Sequence, residues 1–333
     1  MDKENERKVL LARYKRQQRI LTLLPIGALI VLFASLCGVV LGKGYRLDMY
    51  LKIIFNEGVV LAVVATGATF IYTLGSFDIS LGASTLFSAA LGVMTYNATG
   101  SLPLMLLVIM GVAIGCSLAS SVLASVFGLP VFVTTVAMMS VLSAVSAQII
   151  TTNGGALGGI SIPSSVVAPF DAIWIKVLIL GIFAAACVFV FNFTRIGRRQ
   201  KFLGGNPVCA KLTGISLNKY AIVAFVMAGI GVGIGAFLTL VYTPSVTAAT
   251  AGSIGMNIIV AIVFGGMPIS GGPRSKIYAA VTGGFSYIML SNILKMLIDS
   301  NAGYGISQIV SAVFFLAVVY LTGMNYRTRL LPR

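Results

Sequence analysis

The sequence predicts an all-α, polytopic integral membrane protein of about ten transmembrane helices. Three observations predict it. Of 333 residues, 58% are hydrophobic and 9% charged, with a mean hydropathy of +1.01, whereas a soluble domain carries about a quarter charged residues. Apolar runs near the ~20 residues that span a bilayer recur along the chain. Two stretches, 75–82 and 265–272, share the pattern G-x-x-x-I-S-x-G and interrupt apolar runs. A membrane tolerates such breaks only where protein or a water-filled cavity covers the freed backbone. A duplicated pair therefore points to internal repeats flanking a transport pathway, against the plainer reading of two Gly-rich helix ends matched by chance.

The elements follow in order. Residues 1–19 form a basic tail, too charged for a signal peptide, so the run 20–42 is expected to be a retained first span. The tail reads as a solvated topology signal or as an amphipathic helix on the membrane surface. Further spans are expected at 52–74, 79–97, 103–126, 130–151, 172–193, 219–241, 252–266, 277–297 and 305–324, and 325–333 is a basic C-terminus. The membrane-spanning unit is thus 20–324. Lys and Arg concentrate in the tail, in the loop 194–218, at Arg274 and Lys276, and at the C-terminus. The positive-inside bias puts all four in the cytoplasm, together with both termini. The same distribution argues against nucleic acid as a partner despite a net charge of +15, because the charges sit in loops and tails instead of on one polar face.

The glycines at 231, 233 and 235, and the small residues 117–121, suggest close helix contacts. The Gly-rich stretch 151–160 is a poor helix former, and the loop 152–171 reads as a gate, a contact for an external partner, or a connector. In the loop 194–218, Asn206 is a good N-cap, Pro207 fits the first helical position and Gly214 fits a C-terminal stop. They delimit a helix of about two turns, too short to be stable alone, so it packs on its own membrane domain or docks into a cytoplasmic partner.

Chemistry is limited. There is no His, which excludes His-based metal sites and bases. Cys37, Cys116 and Cys187 lie in apolar runs and Cys209 in a basic loop, with no zinc or disulfide spacing. Residues 38–44 are the nearest approach to a phosphate loop but lack its spacing and closing hydroxyl residue, so no ATPase motif is present and no cofactor is expected on this chain. Of the acidic residues, Glu57 and Asp78 fall in or beside spans. Asp78 reads as a gating group, as a holder of the broken helix's free N–H groups, or as the N-cap of the third span. Glu57 is expected at the membrane interface, paired with Lys52. A neutral solute would need hydrogen bonds from residues such as Asn56, Thr66, Thr69, Thr135, Ser143, Gln148 and Asn257, each of which could equally serve an interhelical bond worth ~0.6 kcal/mol.

The loop 194–218 resembles the coupling-helix segment of ABC-importer permeases for ribose and related sugars, the branched-chain amino acid and sugar permease family. It matches the usual T-R-x-G-R…G-G-N-x-x-A-A-x-x-x-G-I at Thr194, Arg195, Gly197, Arg198, Gly204, Gly205, Asn206, Ala210, Gly214 and Ile215, with Cys209 replacing one Ala. Residues 75–84 resemble G-G-I-D-L-S-V-G-S, keeping Asp78, Ser80, Gly82 and Ser84 but departing at Ser76 and Phe77. Residues 265–275 resemble G-G-T-S-L-x-G-G-x-G-S, with Pro268 and Arg274 as departures. Thr152-Asn153-Gly154 resembles an outer-loop element. The likeness covers about 50–323.

The resemblance implies a multi-pass permease subunit in a bacterial plasma (inner) membrane. It implies a second permease subunit, identical or paralogous, a cytoplasmic ABC ATPase that holds ATP and magnesium, and an extracytoplasmic solute-binding protein. A monosaccharide such as ribose would be the substrate. Gly205, Asn206, Pro207, Ala210, Lys211 and Gly214 would form the coupling helix and its flanks. Asp78, Ser80, Gly82, Ser84, Ser270, Gly271 and Gly272 would line or gate the pathway, with Asn56, Thr135, Gln148 and Asn257 as possible substrate contacts. The alternative is an ion-coupled secondary transporter of a small polar solute, which leaves the short inner helix unexplained.

Overall fold

The computed structural model describes residues 23, 25–154, 158–247, 250, 254–268, 270–297, and 309, 312, 313, 316 and 320. The basic tail 1–19, most of the tenth expected span and the C-terminus 325–333 lie outside the described residues. What is described is helical apart from one short sheet. Helix α1 covers Pro25–Gly42, followed by α2 Leu47–Thr73, α3 Leu81–Thr99, α4 Leu102–Phe127 and α5 Val131–Asn153. Strand β1, Gly159–Ser161, and the short α6, Ser164–Val167, lead into α7, Ile173–Phe193. Two short helices, α8 Arg195–Gly205 and α9 Pro207–Leu212, precede α10, Leu217–Tyr242. Strand β2 Ser245–Thr247, α11 Ile254–Phe264 and α12 Ile277–Leu297 complete the order.

Seven of these helices are long and apolar enough to cross a membrane: α1, α2, α4, α5, α7, α10 and α12. Two expected spans fall short for identifiable reasons. Helix α3 has the length, but Ser, Thr, Gly and Asn dilute its apolar content. Helix α11 has 11 described residues, and the second Gly-rich break ends it at Phe264.

The core forms around α2. Every residue from 58 to 73 is buried, which only a helix surrounded by protein achieves. Its closest neighbour is α10, and glycine sets the approach: a Cβ on Gly67 would lie 2.7 Å from the Met227 carbonyl, and one on Gly231 3.1 Å from the Val63 carbonyl. Gly233 faces Met110 of α4, Gly235 faces Val64 of α2, and Gly229 faces α4 beside Ser117. The small residues thus act as expected, letting backbones meet where side chains would hold them apart. Large apolar side chains on α1, α4, α5 and α7 point outward, among them Ile30, Leu107, Phe132 and Ile182, as a lipid-facing surface requires. One correction to the all-α expectation is small: β1 and β2 pair antiparallel, Ile160 opposite Val246, joining the loop after α5 to the segment after α10.

Candidate functional site

Three groups of residues at the two ends of the bundle could carry function. At the end that holds the basic loop 194–218, the two repeated breaks come together. Gly75 and Gly271 have φ of +75° and +67°, and a Cβ on Gly75 would lie 3.1 Å from the Ser270 carbonyl oxygen. The Gly272 N–H donates to the Thr73 carbonyl at 2.8 Å, satisfying a group that the end of α2 would otherwise leave without a partner.

The same point receives the end of α8. A Cβ on Gly204 would collide with the Thr73 carbonyl, and one on Gly205 would stand 3.1 Å from Pro273. The loop reading missed α8, whose three glycines argue against a helix. Its signals are Thr194, which accepts from Ile196 N at 3.2 Å as an N-cap, and an inward face of Gly197, Gln200 and Leu203.

Helix α9 begins one residue later, as the cap pattern predicts. Asn206 Oδ1 accepts from Cys209 N at 3.0 Å, Pro207 occupies the first turn, and Gly214 takes φ +78°. Ala210 is fully buried in a cluster with Leu203 and Tyr220, against which Leu74 and Ile215 pack. The opposite side of α9 is apolar and bare: Val208 is 68% and Leu212 83% exposed, with Lys211 beside them, also exposed.

Within the first break, Asp78 is fully buried. Its Oδ1 accepts from Ser80 N at 2.8 Å and Ser80 Oγ at 2.6 Å. This corrects the N-cap reading: Ser80 holds the N-cap position of α3 without a side-chain cap bond, and Asp78 grips Ser80 from two residues back. Asp78 Oδ2 and the Tyr72 hydroxyl are buried without a hydrogen-bond partner among the described residues. Burial pushes the Asp78 carboxyl up to about 6, against the opposing hydrogen bonds from Ser80. Gly82 and Ser84 are buried on α3, and Gly255 of α11 packs against the Ile79 carbonyl, so the break is roofed by the start of α11. Ser270 is exposed at the second break.

At the far end lies a charged cluster that sequence reasoning overlooked. The Lys176 ammonium, on α7, donates to Asp171 Oδ1 and Asn56 Oδ1, each at 2.6 Å. Lys52 donates to Asp171 Oδ2 at 2.9 Å. Lys52, Asn56 and Asp171 line a cavity of about 410 Å³ with Ser164 and Tyr242. Burial alone would raise the Asp171 carboxyl, but hydrogen bonds from Lys176 and Lys52 outweigh it and hold it below its usual range. The expected Lys52–Glu57 pair does not form; Glu57 instead accepts from Asn292 Nδ2 at 3.1 Å. The signal for this cluster was Lys176 inside an apolar run, where an ionisable residue is a functional hypothesis by default.

The four possible substrate contacts are not brought together. Asn56 belongs to the charged cluster. Asn257 accepts from Tyr287 at 2.8 Å and lines a second cavity of about 210 Å³ with Glu57, Thr239, Tyr242, Ser291 and Lys295. Tyr242 borders both cavities. Thr135 sits near the basic end, where its Oγ1 accepts from Ile79 N at 3.5 Å and donates to the Phe132 carbonyl at 3.1 Å, tying α5 to the first break. Gln148 is exposed on α5 and donates to Thr152 at 3.3 Å. Among the described residues, no group of three or more Cys, Asp or Glu could hold a metal ion.

Comparison with known proteins gives this arrangement its context. The family model described as branched-chain amino acid transport system / permease component matches residues 50–322. The ribose import permease protein RbsC of Escherichia coli (strain K12) is 25% identical over 281 residues, covering 80% of this chain and 83% of the relative. RbsC of Haemophilus influenzae (strain ATCC 51907 / DSM 11121 / KW20 / Rd) is 26% identical over 302 residues, covering 88% and 90%. The galactofuranose transporter permease protein YtfT of Escherichia coli (strain K12) is 25% identical over 279 residues, covering 82% and 79%. No solved structure matches the chain. The family match takes in both breaks, the α8–α9 pair and the far-end cluster, and the chain belongs to the family of branched-chain amino acid transport system permease components.

Proposed function

We propose that this chain is the membrane permease subunit of an ATP-driven importer for a monosaccharide, ribose or a related sugar, and that α9 is its coupling helix. The observation that carries the reading is α9 itself. Six residues of helix are held to the membrane domain by Ala210 and present Val208 and Leu212 outward, one turn apart. An exposed apolar pair on an anchored short helix fits a groove in a partner, here the cytoplasmic ABC ATPase, which would hold ATP and magnesium. The substrate class is taken from relatives named for ribose and galactofuranose. Family membership favours this reading over the ion-coupled secondary transporter.

On this reading the basic end and both termini face the cytoplasm of a bacterial plasma membrane, and the far-end cavities face the solute-binding protein. Helix α5 would face the second permease subunit and the pathway. Its exposed residues include Ser140, Ser143, Gln148 and Thr151, polar groups that lipid would not favour.

Leu212→Asp tests the docking. The side chain is 83% exposed, so the substitution leaves internal packing alone and puts a charge into the proposed contact. Co-purification of the ATPase is expected to fall by about tenfold or more, as a buried unpaired charge costs several kcal/mol, with membrane insertion unchanged. Unchanged co-purification together with unchanged ATP-dependent sugar uptake would refute the assignment.

A further inference from the structure

The glycine junction at the basic end has a geometry that the coupling-helix reading alone does not require. Three backbone segments meet there: the end of α2, the turn after α11, and the end of α8. Gly271 has no room for a side chain, its would-be Cβ lying 2.6 Å from the Thr73 carbonyl oxygen and 2.8 Å from Gly75 N. Gly272 packs 3.2 Å from the Gly204 carbonyl oxygen in the same sense, and Gly204 in turn abuts Thr73 and Gly272. The hydrogen bond from Gly272 N to the Thr73 carbonyl pins the two breaks to each other. These glycines are therefore not loose joints. Gly271 and Gly272 are buried with backbone atoms against the would-be side chain of each, and packed backbone cannot slide without breaking contact along its length.

Helix α8 is also fastened upstream. Gly197 lies against the Phe191 backbone, Gln200 Nε2 donates to the Tyr220 carbonyl at 3.2 Å, and Arg199 donates to the Tyr220 hydroxyl at 2.7 Å. Only Asn206 separates α8 from α9, and its side chain is committed to capping α9.

We propose that the junction of Gly75, Gly204, Gly205, Gly271 and Gly272 is a rigid transmission, through which a displacement of α9 moves the end of α2 and the α11–α12 turn together as one body. Gly204, Gly205 and Gly271 are positioning residues that act by excluding side chains between the three backbones. The inference rests on α9 being the coupling helix, and it adds how a motion of α9 reaches both repeats at once.

The test uses the complete importer, with its ATPase and binding protein, in lipid nanodiscs. Spin labels at Ser76→Cys and Arg198→Cys report the separation of the first break from α8 in nucleotide-free and ATP-trapped states. Rigid transmission keeps that distance constant within about 2 Å, the scale of helix adjustments at an interface; a larger change overturns the proposal. Because Gly204→Ala could prevent folding, the activity test uses Gly75→Ala, whose residue is exposed and whose Cβ would stand 3.1 Å from the Ser270 carbonyl oxygen. The wedge is expected to leave the ATPase bound and hydrolysing ATP while uptake falls at least about tenfold, a loss of ~1.4 kcal/mol or more in coupling. Uptake retained at the wild-type rate per ATP overturns the proposal. If the wild-type permease recovers no ATPase, the functional reading has failed instead, and the two failures are distinguishable on the same preparation.

Discussion

Asp171→Ala is expected to destabilise the far end of the permease more than removal of its buried partner does. The Lys176 side chain is 3% exposed and that of Asp171 35%. With Asp171 gone, the ammonium keeps only Asn56 Oδ1, an uncharged acceptor at 2.6 Å. Breaking a buried ion pair from one side costs about 3–5 kcal/mol. Partial exposure of Asp171 admits water that screens part of this, leaving about 2–3 kcal/mol. Lys52, more than half exposed at 53%, adds little, since surface pairs are worth about 0–1 kcal/mol. Lys176→Met removes the buried charge itself and fills the space with an apolar chain. Asn56 then lacks one donor and Asp171 keeps Lys52 and water, for about 1 kcal/mol.

The double variant Asp171→Ala/Lys176→Met is therefore expected to be more stable than Asp171→Ala alone. Thermal unfolding in detergent measures this, and Trp174, the single tryptophan, reports it two residues from Lys176. A double variant as unstable as Asp171→Ala would refute the reasoning, since the stranded ammonium would then not be the cause. The pH dependence carries its own sign. The folded Asp171 carboxyl sits below its usual 3.8, so its contribution is complete above about pH 4 and is lost as pH falls through the folded value.

Asp78 behaves in the opposite sense. Its folded value is raised from 3.8 to about 6, so the stability it contributes in the neutral form is present below about pH 4 and is lost as pH rises through 6, a difference on the order of 3 kcal/mol. Asp78→Asn keeps an acceptor for Ser80 and should flatten this pH profile; a wild-type slope persisting in that variant would contradict it. Gly67→Ala should destabilise by about 1–3 kcal/mol, because its Cβ meets the Met227 carbonyl at 2.7 Å and backbone cannot move aside cheaply. Gly111→Ala on α4, with nothing within 4 Å, should stabilise by about 1 kcal/mol through helix propensity alone. Melting temperatures of the two variants moving in the same direction would show that backbone proximity is not what selects glycine at position 67.

The seven spans found among the described residues were legible because apolar length is a local property that any window of the chain displays. Helix α9 was legible for the same reason, since Asn206, Pro207 and Gly214 specify its ends without reference to anything distant. Helix α8 was not, because its stability comes from burying Gly197, Gln200 and Leu203 against α7 and α10, and a run rich in Arg and Gly reveals none of that. The repeated pattern showed that two breaks are alike. It could not show that Gly272 bonds to Thr73, almost 200 residues away in the chain, or that Gly204 fits between them. Glycine at a close approach is recognisable only once the approaching backbone is in place. The strands escaped for a related reason: each has three residues, too few for a period, and their pairing is wholly non-local. Lys176 was not legible as part of a cluster because Asn56, which accepts from it, lies 120 positions away in the chain.

The far-end cluster and the glycine junction stand on the same helix. Asn56 and Thr73 are 17 positions apart on α2, about 26 Å along its axis at 1.5 Å per residue. Asn56 is held by Lys176 of α7, and Thr73 by Gly272 of the second break. Between them α2 is a continuous buried helix, without a proline to bend it. Helix α7 is fixed beside it at both ends, by Lys176 at one and by the edge-on contact of Phe191 with Phe70 at the other, ring centroids 5.4 Å apart. Two stiff helices pinned at both ends have little freedom to shear. A tilt imposed on α2 at Thr73 must then be carried to Asn56 and to the wall of the far-end cavity, whereas a flexible α2 would absorb it. The cost of stranding Lys176 and the cost of wedging Gly75 are accordingly expected to be coupled in a double-mutant cycle, although the two residues lie at opposite ends of the bundle and share no contact.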